Sequence, residues 1–234
     1  MRNDRDLMII DVIIPAYNEE KSISNVIRDI PDEMVRNIVV CNNNSSDKTK
    51  ENALEAGAVV VDQPRKGYGS ACLKGMDYVA KQEVLPDIIV FLDGDYSDHP
   101  EEMSEIVRPI VNEDYDMVIG SRALGDLEKG AMQVQQIFGN WLATSLIKLI
   151  YGYVFTDLGP FRAIKYNSLM ALKMEDKDFG WTVEMQVKAA KQGMKCTEVP
   201  VSYRRRIGVS KVSGTLKGTI LAGHKILWTI FKLI

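Results

Sequence analysis

The sequence is poor in metal-binding and cross-linking side chains, with three cysteines and two histidines in 234 residues. Cys41, Cys72 and Cys196 are scattered with no CxxC spacing, which argues against a zinc site and against a disulfide framework. Each is expected as a small buried apolar residue in a reducing cytoplasm. An uninterrupted apolar run long enough to span a bilayer is also missing. The opening MRNDRDLMII has charges but no apolar stretch ahead of a cleavage site, so no secretory leader is expected. Acids vanish near the end. From Val199 to Ile234 there are seven bases (Arg204, Arg205, Arg206, Lys211, Lys217, Lys225, Lys232) and no Asp or Glu. The preceding 198 residues carry 22 bases against 32 acids. A cationic end on an acidic body points to phosphate groups, a membrane surface, or both, and not to nucleic acid.

What is present is a strongly patterned first half. Apolar runs at LMIIDVIIPA, NIVVC, AVVV, DIIVFLD and DMVIG read as short buried strands bounded by turn residues. Helical patterns lie between them, over 19–30, 46–56, 67–81 and 100–112. This alternation implies an α/β fold, with a mostly parallel sheet covered on both faces. Ligands of such sheets sit outside the carboxyl ends of the strands. After Gly120 a loop leads to an apolar helix, Val134 to Tyr151. The segment TDLGPFRAI follows, then a helix near Trp181 to Gln192 and a strand from Cys196 to Tyr203. Residues 1–211 are read as one domain and 212–234 as an extension. In the extension Leu216, Ile220, Leu227, Phe231 and Ile234 share one helical face, and Lys217, Lys225 and Lys232 recur on another. That pattern fits a basic amphipathic helix in the membrane interface. Docking on the protein's own core, or on a second copy in a homodimer, is the alternative.

The strand end FLDGDYSDHP carries the strongest chemical signal. Asp93 and Asp95 flank Gly94, so two carboxylates face one ligand while the backbone allows close approach. Such a pair suits Mn²⁺ or Mg²⁺, which also takes diphosphate oxygens. Asp98 reads as a helix N-cap ahead of Pro100. The first strand ends in VIIPAYNEE, where Tyr17 is able to stack on a planar ring and Asn18 and Glu19 to hydrogen-bond a nucleoside. In DQPRKGYGSA, Lys66 sits beside Gly67 and Gly69 at a helix start, a combination suited to phosphate. It is neither GxGxxG nor GxxxxGK[ST], which excludes dinucleotide-fold and P-loop readings.

Together PAYNE, the polar strand end Asn42–Asn44, KGYG and DGD resemble the family 2 inverting glycosyltransferases of the GT-A fold. Closest is the branch with dolichyl- and polyprenyl-phosphate mannosyl- and glucosyltransferases. The resemblance runs over nearly the whole chain. It implies a GT-A (Rossmann-like, nucleotide-diphospho-sugar transferase) fold, with metal held chiefly by Asp95 while Asp93 and Gly94 approach the sugar and ribose. It places Pro15, Ala16, Tyr17, Glu19, Cys41, Asn42, Asn43, Lys66 and Gly67 around the nucleotide. GSR, at Gly120–Arg122, matches a segment whose arginine contacts a phosphate, and GPFRAI supplies Arg162. EVPVSYRRRIGVSK aligns Arg205 and Lys211 with donor-phosphate ligands and sets Ser210 beside them, on the acceptor side.

Two departures from the family pattern bear on substrate. Relatives usually have Asp-Asp where this chain has Asn42 and Asn43. Alternation lets only one of them point at the base, and the resemblance favours Asn43, with Cys41 lining the pocket. An amide suits uracil better than guanine, which favours a UDP-sugar over GDP-mannose. In MQVQQIFGNWLA, Gln135, Gln136 and Gly139 stand where phosphate-acceptor members often carry Arg and Ser. The expected activity is metal-dependent transfer of a hexose, with inversion, to a lipid-linked acceptor such as polyprenyl phosphate at the inner face of the membrane. A hydroxyl acceptor would require a general base, for which Glu184 is the first candidate and Asp157 the second. A non-catalytic nucleotide-sugar sensor at the membrane is the non-enzyme alternative. An aspartyl-nucleophile phosphohydrolase is excluded because its motif closes the first strand, and DGDYS closes the fourth.

Overall fold

In the computed structural model of the chain, residues 8–208 and 216–234 are described. Ser210, Lys211 and the expected start of the extension at 212–215 lie outside the described residues, as do the side chains of Leu216, Lys217 and Ile220. The first half alternates as its pattern dictates: β1 (Ile10–Ala16), α1 (Ile23–Asp29), β2 (Asn37–Asn42), α2 (Thr49–Glu55), β3 (Val59–Asp62), α3 (Tyr68–Val79), β4 (Ile88–Phe91), α4 (Met103–Glu113) and β5 (Met117–Ser121). The second half holds α5 (Val134–Tyr151), β6 (Arg162–Lys165), α6 (Tyr166–Leu172), α7 (Trp181–Lys191), β7 (Cys196–Pro200) and α8 (Leu216–Lys232).

Among the described residues one seven-stranded sheet forms, in the order β3-β2-β1-β4-β6-β5-β7. Every pairing is parallel except those of β6 with β4 and β5. Two-residue alternation along the strands loads both faces. Ile13, Val39, Cys41 and Phe91 pack toward α3, α5 and α7, with Trp181 edge-on to Phe91 at 6.0 Å. Val12, Ile14, Val40 and Val90 pack toward α1, α2 and α4.

The strand β6 is absent from the sequence reading, which left GPFRAI without an element. Four residues after a Gly-Pro pair give too little periodicity to mark a strand. Its antiparallel course has a consequence: its amino end lies at the carboxyl ends of β4 and β5, with Ile119 opposite Arg162 and Phe91 opposite Arg162 on the other side. Residues 157–161 are thereby delivered to the edge where ligands bind. Pro15 falls beyond the last β1–β4 pair, Ile13 with Phe91, where a missing N–H costs no ladder bond on that side.

The C-terminal helix packs on its own domain. Ile230 is fully buried, the Tyr151 hydroxyl donates to the Ile230 carbonyl at 2.5 Å, and Lys191 donates to the Leu233 carbonyl. Its other side stays open, with Leu221, Trp228, Phe231 and Ile234 exposed. Among the described residues no helix is long and apolar enough to cross a membrane.

Candidate active site

Beyond β4 the chain turns through Asp93–Asp95. Asp95 is buried; its Oδ1 accepts from the Ser97 N–H at 2.9 Å and hydroxyl at 2.5 Å, and its Oδ2 faces the Arg206 guanidinium. Asp93 accepts from the Tyr68 hydroxyl at 3.0 Å. Burial pushes the Asp93 carboxyl above its ordinary value, against the opposing pull of Arg206. The donor atoms are all carboxylate oxygens, and a guanidinium stands where a cation's charge is required, so Mn²⁺ or Mg²⁺ fits this pair. Among the described residues no three His, Cys, Asp or Glu side chains are grouped to hold a metal by themselves. Coordination therefore has to be completed by ligand oxygens, as a diphosphate would provide.

Asp98 is not the helix cap its sequence position implied. A single 3₁₀ turn, Pro100–Glu102, starts after His99 with no side-chain cap. Asp98 is turned inward because its backbone bridges to Tyr203. Its Oδ2 accepts weakly from the Asp93 N–H at 3.4 Å, and burial with the neighbouring Asp93 charge pushes its carboxyl up to about 7.

A cavity of about 310 Å³ opens at this edge. It brings together Pro15, Ala16, Tyr17, Glu19, Asn43, Lys66, Gly67, Asp93, Gly94 and Asp95 from four separate strand ends. Lys66 donates to the Tyr17 hydroxyl at 2.8 Å and lies 4.6 Å from its ring centroid. Glu19 is buried, its N–H bonded to Thr49 Oγ1 at 2.7 Å.

The expectations for Cys41, Asn42 and the start of α3 are corrected, and that for Asn43 is narrowed. Cys41 does not line it: the side chain packs into the core beside Ile13 and α3, and burial pushes its thiol up to about 12. Asn42 is turned away, donating to Asp62 at 2.8 Å and accepting from the Ser45 N–H at 3.3 Å. Asn43 does reach the cavity, but its amide already braces the next loop. It donates to the Gln63 and Arg65 carbonyls at 3.2 and 2.6 Å and accepts from the Gly67 N–H at 2.8 Å. The start of α3 is likewise no open phosphate cradle. The Gly69 and Ser70 N–H groups donate to the carbonyls of Asp178 and Lys177 at 3.2 and 2.9 Å. The glycines serve this crossing, since a Cβ would lie 2.2 Å from the Lys177 oxygen at Gly67 and 2.0 Å from the Asp176 oxygen at Gly69.

A second cavity, also about 310 Å³, shares Tyr68, Asp93, Phe179 and Arg206 with the first. Arg122 lines it. Asp157, fully buried, takes the Arg122 guanidinium in a bidentate pair at 2.7 Å and its N–H at 2.8 Å. Burial works against the Arg122 charge, but Asp157 outweighs it and holds the guanidinium above its ordinary value. Gln135, Gln136 and Gly139 of α5 and Ala222, Gly223 and Ile226 of α8 form the walls.

Neither candidate base is available. Asp157 is committed to Arg122. Glu184 is buried, accepts from the N–H groups of Glu175 and Asp176 at 3.1 and 2.8 Å, and pairs with Lys188 at 2.8 Å. Arg162 is a structural residue: fully buried, it donates to the carbonyls of Leu158, Gly159 and Thr182, and burial pulls it down to about 10. Of the three consecutive arginines, Arg205 points away, 63% exposed and bonded to the Lys129 carbonyl at 3.0 Å. Arg204 lies 3.5 Å over the Tyr96 ring. Arg206 is the one that enters the site, because Arg204 and Ile207 donate backbone N–H bonds to the Ser97 and Asp95 carbonyls at 2.9 and 3.0 Å.

Residues 11–172 match the family model for glycosyl transferase family 2. The chain belongs to glycosyl transferase family 2. Glycosyltransferase AglJ of Haloferax volcanii is 34% identical over 196 residues, which are 83% of this chain and 63% of that protein, so the chain spans less than two thirds of that relative. A dolichyl-phosphate hexose transferase of the same organism is 31% identical over 207 residues, 86% of this chain and 85% of the relative. Glucosyl-3-phosphoglycerate synthase from Mycobacterium tuberculosis, solved with Mn²⁺, uridine diphosphate and phosphoglyceric acid, superposes with a TM-score of 0.78 at 22% identity. The match covers 97% of this chain and 78% of that one, and it establishes the GT-A fold.

In this family 2 chain the residues that sequence reading passed over are Tyr68, Phe179 and Arg206. Tyr68 stands inside the KGYG motif, and its position between two glycines was the available signal. Phe179 has no local signal, since the 174–180 loop reaches the site only through tertiary contacts.

Proposed function

We propose that this glycosyltransferase moves a hexose from a UDP-sugar to a lipid-linked phosphate at a membrane surface. The observation that carries this reading is the second cavity. It presents Arg122 and Arg206 beside Asp93, while the two carboxylates expected as bases are held by backbone N–H groups, Lys188 and Arg122. Two guanidiniums suit a phosphate, which is already ionised and needs no base. Asp95 and Asp93 would hold Mn²⁺ or Mg²⁺, which when bound neutralises the leaving diphosphate. Arg206, lining both cavities, is placed to meet donor and acceptor charge. The phosphate oxygen then attacks C1 from the face opposite the leaving group, forming the new C1–O bond as the bond to the diphosphate breaks, with inversion.

Asn43 bears on the base. Both its N–H groups are used, and one lone pair of its oxygen is left to accept a single N–H. Uracil offers one such group; guanine offers two converging ones and would leave one unpaired. The relative named a dolichyl-phosphate hexose transferase supports a polyprenyl phosphate acceptor. So do the exposed apolar side chains on the two helices that contribute to the second cavity, Ile137, Phe138 and Trp141 of α5 and Leu221, Trp228 and Phe231 of α8. Two helices that line the cavity and also expose apolar side chains would let a lipid tail stay in the bilayer while its phosphate reaches Arg122. The proposed location is the cytoplasmic face of the membrane. Incubation of UDP- and GDP-hexoses with Mn²⁺ and either polyprenyl phosphate or polyprenol tests this. Product is expected from UDP-hexose with polyprenyl phosphate; transfer to polyprenol instead would overturn it.

A further inference from the structure

Residues 174–180 join α6 to α7 and carry Phe179, which borders both cavities. Two anchors fix this loop. On one side Glu184 binds its backbone N–H groups at Glu175 and Asp176. On the other, Lys225 of α8 pairs with Asp176 at 2.8 Å. The Asp176 carboxylate, 8% exposed, also accepts from the N–H groups of Asp178 and Gly180 at 2.8 and 3.2 Å. Gly180 allows α8 to seat closely, since a Cβ there would lie 2.5 Å from Thr229 Oγ1.

The loop in turn closes the start of α3, where Asp178 and Lys177 carbonyls take the Gly69 and Ser70 N–H groups and Lys177 also takes the Ser70 hydroxyl at 3.1 Å. The preceding residue, Tyr68, gives its hydroxyl to Asp93. An unbroken run of contacts therefore leads from Lys225, through Asp176, the loop backbone and the α3 terminus, to a carboxylate of the donor site. Lys225 itself lines neither cavity.

We propose that Lys225 is a positioning residue for donor binding: its ion pair with Asp176 seats the 174–180 loop, which fixes Tyr68 and, through it, Asp93. The proposal rests on the reading of the first cavity as the donor site. A solvated pair on a helix face is the competing account, but Asp176 is nearly buried with two backbone partners. Removing Lys225 leaves that carboxylate without its cation, and the loop has to shift to rehydrate it. The sequence pattern put Lys225 on the basic face of an interfacial helix; the structure pairs it with Asp176 of this loop.

The test compares Lys225→Met, which keeps the apolar stem, with Lys225→Arg, which keeps the charge. In Lys225→Met, amide hydrogen exchange at Gly69 and Ser70 is expected to quicken about tenfold. The dissociation constant for UDP with Mn²⁺ is expected to rise about fivefold, with the melting temperature within about 4 °C of wild type. Lys225→Arg is expected to match wild type in both readouts. Unchanged exchange at Gly69 and Ser70 in Lys225→Met overturns the proposal without any nucleotide present. Faster exchange with unchanged UDP affinity also overturns it. Wild-type protein that binds neither UDP nor GDP with Mn²⁺ overturns the donor-site reading instead, and the exchange rates tell the two failures apart.

Discussion

Glu184 and Arg206 exchange the importance that their sequence contexts assign them. With its carboxylate on two loop N–H groups and Lys188, Glu184 anchors the 174–180 loop, whose Phe179 borders both cavities. Loss of a general base removes roughly 10²–10⁴ from kcat. Glu184→Gln is expected instead to raise KM for the sugar nucleotide by a larger factor than it lowers kcat, measured by steady-state kinetics. The arginines separate in the same assay. Charge-assisted bonds of about 1.5–3 kcal/mol correspond to roughly 10- to 100-fold in affinity. Arg206→Ala is expected to lose that much in nucleotide diphosphate binding, and Arg205→Ala, an exposed side chain, to stay within about twofold. Asp93, Asp95 and Tyr17 were legible because they end apolar strands, and strand ends are where such sheets bind ligands. Arg206 was not, because the choice among three identical neighbours is made by backbone bonds to Ser97 and Asp95, distant in sequence. Cys41 was misplaced for a related reason: it shares a strand face with Asn43, but α3 covers that face one residue pair earlier.

The parallel strands and their helices were readable as elements because each apolar run is bounded by turn residues and long enough to show its period. The antiparallel β6 was not, and with it went the delivery of Asp157 to Arg122. That pair fixes Arg122 at the second cavity. Breaking a buried ion pair from one side costs about 3–5 kcal/mol, so Asp157→Ala is expected to lower the melting temperature by roughly 6–20 °C in calorimetry. The helices α5 and α8 make a joint prediction. Vesicles with anionic lipid should pellet the wild-type protein, and the combination Phe138→Glu, Trp141→Glu, Trp228→Glu and Phe231→Glu should stay in the supernatant. All four side chains are exposed, so the fold is expected to survive them. Pelleting of the variant to the same extent would contradict a lipid-facing role.

Across the whole molecule the three cysteines are buried in the folded chain. Burial pushes the Cys41 and Cys196 thiols up to about 12 and the Cys72 thiol well above its ordinary range. Their folded values exceed the unfolded ones, so the stability they support is complete below the ordinary thiol range and declines as pH rises through the folded values. A thiol reagent at pH 8 is expected to leave all three unmodified until denaturant is added. The composition anticipated this, since isolated cysteines without paired spacing behave as small apolar residues.

Calorimetric titration of UDP, with and without Mn²⁺, into wild type and Asp95→Ala addresses the site most directly. Wild type is expected to bind UDP only when the metal is present, and Asp95→Ala to lose that binding at least about tenfold. Metal-dependent UDP binding of wild-type strength in Asp95→Ala would contradict the assignment of the donor site to the Asp93–Asp95 turn.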